Sequence, residues 1–130
     1  MTMTSAERDA LRAQIEKRRA DLAVELRGDE EKLADDRADR AIATSEDAGD
    51  RAAADLQAEV DQAELNRDLN ELHDYDAALE RLEAGTYGEC IECGEPVGLK
   101  RLQAYPAAAR CIGCQTDWEK NHSGGHSAAA

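Results

Sequence analysis

Residues 90–114 read CIECGEPVGLKRLQAYPAAARCIGC. Two Cys-x-x-Cys pairs, Cys90 with Cys93 and Cys111 with Cys114, stand with seventeen residues between them, the spacing of a tetrahedral thiolate metal site. Two residues between cysteines let one tight turn aim both sulfurs at a single ion, and a second turn closes the tetrahedron at about 2.3 Å per Zn–S bond. Gly94, just ahead of Pro96, and Gly113, inside the second pair, are expected to supply the bends. Four protein ligands leave no open position for water or substrate, so the reading is one structural Zn2+. A redox Cys-x-x-Cys would need an activated thiol in a strand–helix setting, and a disulfide framework would need an exported chain. Met1 to Ala10 is polar and charged rather than an apolar leader, and no stretch approaches a membrane span. The expectation is a cytoplasmic protein without a membrane partner.

Outside the cysteine pairs, composition sets the bounds. With 130 residues, no Phe, one Trp, three Tyr and 35% charged residues, the chain cannot build a large globular core and must bury its apolar groups economically. A net charge of −13, counted before any thiolate, argues against direct binding to DNA. Phosphate contacts need Lys and Arg clusters, and the longest here is Lys17-Arg18-Arg19. A protein partner with a basic surface fits better.

From Ser5 to Ala84 the chain has no Pro and only two Gly, is rich in Ala, Glu, Leu, Arg and Asp, and places sparse apolar residues at helical spacing. Leu11, Ile15, Leu22, Leu26 and Leu33 form one narrow stripe, and Leu56, Val60, Leu69, Leu72, Leu79 and Leu82 a second. Thr4 and Glu7 suit a capping box at the start, and Gly85 a C-terminal stop. Thr44 to Gly49, with two hydroxyl residues, Asp47 and a glycine, is the expected turn, and it divides the segment nearly in half. Two arms of about 50–60 Å at 1.5 Å per residue then pair antiparallel. Gly28 falls inside the first stripe and reads as a weak point of one helix. A single helix that dimerises is the alternative.

The expected fold is therefore mainly α: a long antiparallel coiled-coil hairpin over 5–84 with its tip near 44–52, attached to a small four-cysteine zinc finger with a short C-terminal helix over 85–120. Residues 121–130, which contain His122, Ser123-Gly124-Gly125 and His126, have the composition of a disordered tail. Those two histidines are superfluous as ligands beside four cysteines. His73 reads as a solvated or seam position, and Trp118 as packing the last helix onto the finger. At the tip, Glu46, Asp47 and Asp50 gather carboxylates, the last two at the positive end of the second helix. On residue chemistry alone this is helix capping.

The run from Gly88 to Gly94, then Val97-Gly98-Leu99-Lys100-Arg101-Leu102-Gln103-Ala104-Tyr105-Pro106 and the closing Cys111-Ile112-Gly113-Cys114, closely resembles the DksA/TraR zinc-finger family. In that family a finger carries a protruding antiparallel coiled coil whose tip bears an Asp-x-x-Asp-x-Ala motif, and Asp47-Ala48-Gly49-Asp50-Arg51-Ala52 has the pattern. Asp36-Arg37-Ala38-Asp39-Arg40-Ala41 has it too. The tip is assigned to Asp47, Asp50 and Ala52, because the turn signals lie beside them and the distance to Cys90 matches full-length relatives without a gap. The earlier copy is then helix surface. The resemblance spans residues 9 to 120, strongest in the finger and tip.

What the resemblance implies is regulation of bacterial transcription by a monomer that binds RNA polymerase and inserts its coiled coil into the secondary channel, without binding DNA. Asp47 and Asp50 then interact with polymerase elements around the active site, Ala52 allows close approach, and Lys100 and Arg101 are candidate contacts, or cover the finger's apolar residues with their stems. Family members that respond to the alarmone ppGpp present basic residues at the polymerase rim. The aligned positions here are Asp74, Tyr105 and Gln115, so ppGpp dependence is expected to be weak or absent. The alternative function is a zinc-stabilised coiled-coil adaptor for another protein, in which the tip carboxylates only cap a helix. A catalyst has least support, because closed four-thiolate coordination offers neither a free thiol nor an open metal site.

Overall fold

In the structure, a computed structural model that describes residues 3–42 and 48–122, the chain forms α1 (Ser5–Ile42), α2 (Ala48–Ala84), α3 (Leu99–Ala104) and α4 (Ile112–Asn121). The first helix opens on the expected capping box: the Thr4 N–H donates to Glu7 Oε1 at 2.9 Å, and the Glu7 N–H donates to Thr4 Oγ1 at 3.1 Å. The second closes on a Schellman motif. Gly85 sits at φ +79°, its N–H donates to the Leu82 carbonyl at 3.3 Å, and the Thr86 N–H reaches the Arg81 carbonyl at 2.9 Å. Of the expected turn, Thr44 to Asp47 lie outside the described residues, while Gly49 already belongs to the first turn of α2. Gly28 stays inside α1 without a break.

The two long helices pack against each other as antiparallel partners. Ion pairs mark the register: as one helix ascends the other descends, through Arg12–Glu83 at 3.6 Å, Arg19–Asp76, Lys32–Glu64 at 3.5 Å and Arg40–Asp55 at 3.0 Å. Arg18 makes a two-pronged contact to Glu71, with Nε 2.7 Å and Nη2 3.0 Å from its oxygens. Such a fork fixes geometry as well as charge. Opposite-sign pairs on five levels favour the hairpin over a parallel or slipped alignment.

Every apolar residue of the first stripe is buried: Leu11, Ile15, Leu22, Leu26 and Leu33. The second stripe is only partly right. Leu72, Leu79 and Leu82 do pack toward the core, but Leu56 and Val60 are 62% and 45% exposed. The face of α2 that meets α1 instead runs through Ala54, Ala58, Asp61, Leu65, Asp68, Leu72, Tyr75, Leu79 and Leu82, all at least half-buried. These positions alternate steps of four and three, a strict heptad seam. Leu56 lies two positions from its nearest seam residues and Val60 one position from Asp61, and on a helix either offset turns a side chain well away from the partner. The correction has a simple cause: two of the true seam positions are aspartates, which an apolar pattern passes over.

The apolar core is concentrated at the base of the hairpin, where Leu11, Ile15 and Leu22 meet Tyr75, Ala78 and Leu82 and where the finger adds Tyr87, Val97, Leu102, Ala107 and Ala108. Among the described residues, none from 34 to 58 belongs to this core. No described helix is long and apolar enough to cross a membrane.

Candidate functional site

The metal centre is assembled from two different local structures. Cys90 and Cys93 stand on a knuckle in which the Cys90 N–H donates to the Glu95 carbonyl at 2.7 Å, the Gly94 N–H returns to the Cys90 carbonyl at 2.9 Å, and Glu89 and Pro96 form a single antiparallel bridge. Gly94 takes φ +78° there, as its place in the turn requires. The second pair is made otherwise. Cys111 is the extended residue ahead of α4, with φ −65° and ψ 165°, and Cys114 lies in the first turn of that helix. Gly113 has ordinary helical backbone rather than a left-handed bend. The start of a helix, not a glycine turn, aims the second pair.

The four sulfurs lie within 4.8 Å of one another, and Cys93 Sγ is 3.8 Å from Cys111 Sγ. A tetrahedron with Zn–S bonds of about 2.3 Å has sulfur–sulfur edges of about 3.8 Å. None of the four forms a disulfide. Charge argues the same way. Burial pushes the Cys90 thiol up, but backbone N–H groups of Cys111, Cys93 and Glu92 outweigh it and bring the thiol down to about 6. Cys114, facing the sulfurs of Cys111 and Cys93, is driven far above the ordinary thiol range. Four adjacent thiolates are compatible only with a cation among them, and the donor set fits one structural Zn2+ held by Cys90, Cys93, Cys111 and Cys114. Bound there, the ion ties the knuckle to α4 and so closes the finger.

A joint of three tyrosines connects this centre to the hairpin. The Tyr87 hydroxyl donates to the Pro106 carbonyl at 2.8 Å in the core, Tyr75 meets Tyr105 edge to face at 5.8 Å between centroids, and the Tyr105 hydroxyl donates to Asp74 Oδ2 at 3.2 Å. Burial raises the Tyr87 phenol to about 12, and burial followed by the Asp74 carboxylate raises Tyr105 further. Both therefore stay protonated donors throughout the physiological range. The sequence reading passed over this joint; its one signal was that all three tyrosines of a Phe-free chain flank the end of α2 and the finger.

At the opposite end, Asp50 and Ala52 are exposed in the opening turns of α2, and Asp47 lies outside the described residues. The earlier copy of the motif is not a tip. It lies within α1, and Asp36 is half-buried against Asp61 of α2 rather than on the helix surface as expected. In the finger Lys100 is exposed, whereas Arg101 turns inward and donates from Nε to the Arg110 carbonyl at 3.0 Å. Gln115 is 3% exposed. Trp118 lies under the Arg110 guanidinium at 4.9 Å and stacks on His122 at 4.3 Å, so it joins α4 to the finger through a cation–π contact rather than through the apolar core. His73 is exposed, and His126 lies outside the described residues.

Comparison with known proteins places these features. Residues 85–120 match the prokaryotic dksA/traR C4-type zinc finger. The chain is 36% identical over 74 residues to the RNA polymerase-binding transcription factor DksA of Caulobacter vibrioides, covering 57% of this chain and 52% of that protein. It is 31% identical over 67 residues to the protein of the same name from Escherichia coli, covering 52% and 44%. The chain thus aligns with about half the length of these curated relatives. The solved structure of transcription factor DksA2 from Pseudomonas aeruginosa superposes with a TM-score of 0.73 at 33% identity, over 91% of this chain and 87% of that one.

Proposed function

Because the chain belongs to the DksA/TraR zinc-finger family, we propose that it is a non-enzymatic regulator of bacterial transcription, cytoplasmic and monomeric, that binds RNA polymerase and reaches into the secondary channel with the distal end of its hairpin. The observation that carries this reading is the form of the arm. Two paired helices of 38 and 37 residues, roughly 55 Å long at 1.5 Å per residue, are fixed at one end in a zinc-tied finger and carry Asp50 and Ala52 exposed toward the other. Asp47 and Asp50 present negative charge to polymerase elements around the active site, Ala52 keeps the approach close, and Lys100 meets the outer rim. Arg101, held by the Arg110 carbonyl, acts as packing for the finger rather than as a contact. A chain of net charge −13 suits a channel with basic walls, because complementary fields raise the association rate, and it disfavours direct contact with DNA.

Alarmone dependence is weak in this reading. Asp74 and Tyr105 are bonded to each other and Gln115 is buried, so a highly anionic nucleotide finds a carboxylate and two uncharged side chains where it needs cations. The test is transcription in vitro from a stable-RNA promoter by purified bacterial polymerase, comparing the native protein with an Asp47→Asn, Asp50→Asn variant, each with and without ppGpp. The native protein changes transcript yield, ppGpp adds nothing, and the variant loses potency by roughly ten- to a hundredfold, the equivalent of about 1.5–3 kcal/mol for a charge-assisted contact. A double variant as potent as the native protein overturns the tip assignment and leaves the adaptor reading.

A further inference from the structure

Four aspartates line the inside of the hairpin where a coiled coil is usually apolar. On α2, Asp61 and Asp68 occupy heptad positions either side of Leu65 and are 5% and 6% exposed; on α1, Asp29 is 7% exposed beside Leu26 and Leu33. The antiparallel register sets Asp29 opposite Asp68, and Asp36 opposite Asp61. The Oδ2 atoms of Asp29 and Asp36 are enclosed and have no hydrogen-bond partner. A carboxylate so placed has lost its water, and a second carboxylate facing it adds like-charge repulsion.

The surroundings do not neutralise these layers. From α1, Glu25 faces the Asp29–Asp68 layer, and Asp35 and Asp39 flank Asp36. From α2, Arg67 comes to 3.9 Å of Asp68 Oδ1 but its side chain is 67% exposed, while Gln57 Nε2 donates to Asp61 Oδ1 at 3.0 Å. Lys32 is engaged by Glu64 and Arg67 is mostly solvated, while the four aspartates face one another across the seam. Burial first and the Asp29 carboxyl second push Asp68 up to about 6, and the Asp61 carboxyl raises Asp36.

We propose that each aspartate layer holds one proton taken from solvent and shared across the seam, Asp29 with Asp68 and Asp36 with Asp61, so that the distal half of the hairpin closes when the layers are protonated and loosens when they ionise. One carboxyl O–H then donates to the facing carboxylate, which replaces repulsion with a hydrogen bond between charged and neutral partners. Because the folded state holds the proton more tightly than an unfolded aspartate does, the stabilisation is complete in acid; it is lost as pH rises through about 6 in the Asp29–Asp68 layer, and above the ordinary aspartate range in the Asp36–Asp61 layer. The base of the hairpin, built on Leu11, Ile15 and Leu22, has no such layer and does not follow. This reading is independent of the partner proposed above, and its test contains no polymerase.

The experiment is a carbon-detected NMR titration of aspartate carboxyls in the zinc-loaded full-length protein from about pH 5 to about pH 8, with amide hydrogen exchange followed in both halves of the hairpin. Asp68 titrates near 6 and Asp36 above the ordinary aspartate range. Distal amides, after correction for the intrinsic pH dependence of exchange, lose protection by roughly tenfold across the interval while those near Ile15 do not. Asp68→Asn and, independently, Asp61→Asn supply a permanent neutral donor to their own layer and reduce the pH dependence of distal exchange, and the two substitutions together flatten it. Ordinary titration of all four aspartates in the native protein, or a distal profile unchanged in a folded Asn variant, overturns the proposal.

Discussion

At Gly88 the backbone runs at φ +93°, and a Cβ added there stands 2.7 Å from Met3 Cε. At Gly28 the backbone is helical, and an added Cβ meets nothing within 4 Å. The methionine tip can move aside, so the penalty at Gly88 comes from the left-handed conformation itself, about 1–3 kcal/mol for a residue with a side chain. Gly28 has the opposite balance, because alanine there removes freedom from the unfolded chain and adds helix propensity. Gly88→Ala accordingly lowers the denaturant midpoint, and Gly28→Ala raises stability by about 0.5–1 kcal/mol, both read by circular dichroism of the zinc-loaded protein. At this scale the sequence had marked Gly28 as the weak position but could not distinguish it from Gly88, because the difference lies in a dihedral angle.

Along the two long helices, burial sorts leucines that look alike in the sequence. Leu22 is fully buried at the base of the hairpin, while Leu56 is 62% exposed. Leu22→Ala should cost about 2–5 kcal/mol, whereas Leu56→Ala should lie within roughly 0.5 kcal/mol of the native protein in urea unfolding. The helices themselves were legible: Thr4 and Glu7 announced one end, Gly85 the other, and the long interval without proline the length between. The first stripe was legible because its apolar residues are also its buried ones. The second was legible at Leu72, Leu79 and Leu82 and not beyond them, since Asp61 and Asp68 hold seam positions and Leu56 and Val60 do not. A periodicity of apolar residues finds a seam only when the seam is apolar. The cysteine pairs were legible as a metal site from spacing alone, but the division of labour within it was not, because the helix start at Ile112 does what Gly113 was expected to do.

For the molecule as a whole, the arrangement separates anchoring from reach. Apolar packing, three tyrosines and the four-thiolate centre are gathered at one end, and the arm beyond them is held mainly by ion pairs and by a seam that mixes leucine with aspartate. A rod fixed in this way can carry charge into a narrow space while its core stays outside it. Exposed Leu56 and Val60 lie on the same arm, so a rival account has the flank of α2 dock on a surface and the tip stay free. Site-specific photocrosslinking in a complex with bacterial RNA polymerase discriminates the two, with p-benzoylphenylalanine replacing Ala52 in one sample and Val60 in another. The account predicts that the residue 52 probe crosslinks to the polymerase subunit lining the channel next to the catalytic centre, and that the Asp47→Asn, Asp50→Asn variant without ppGpp still enters. Crosslinking from position 60 alone, or to a surface outside the channel, would contradict it.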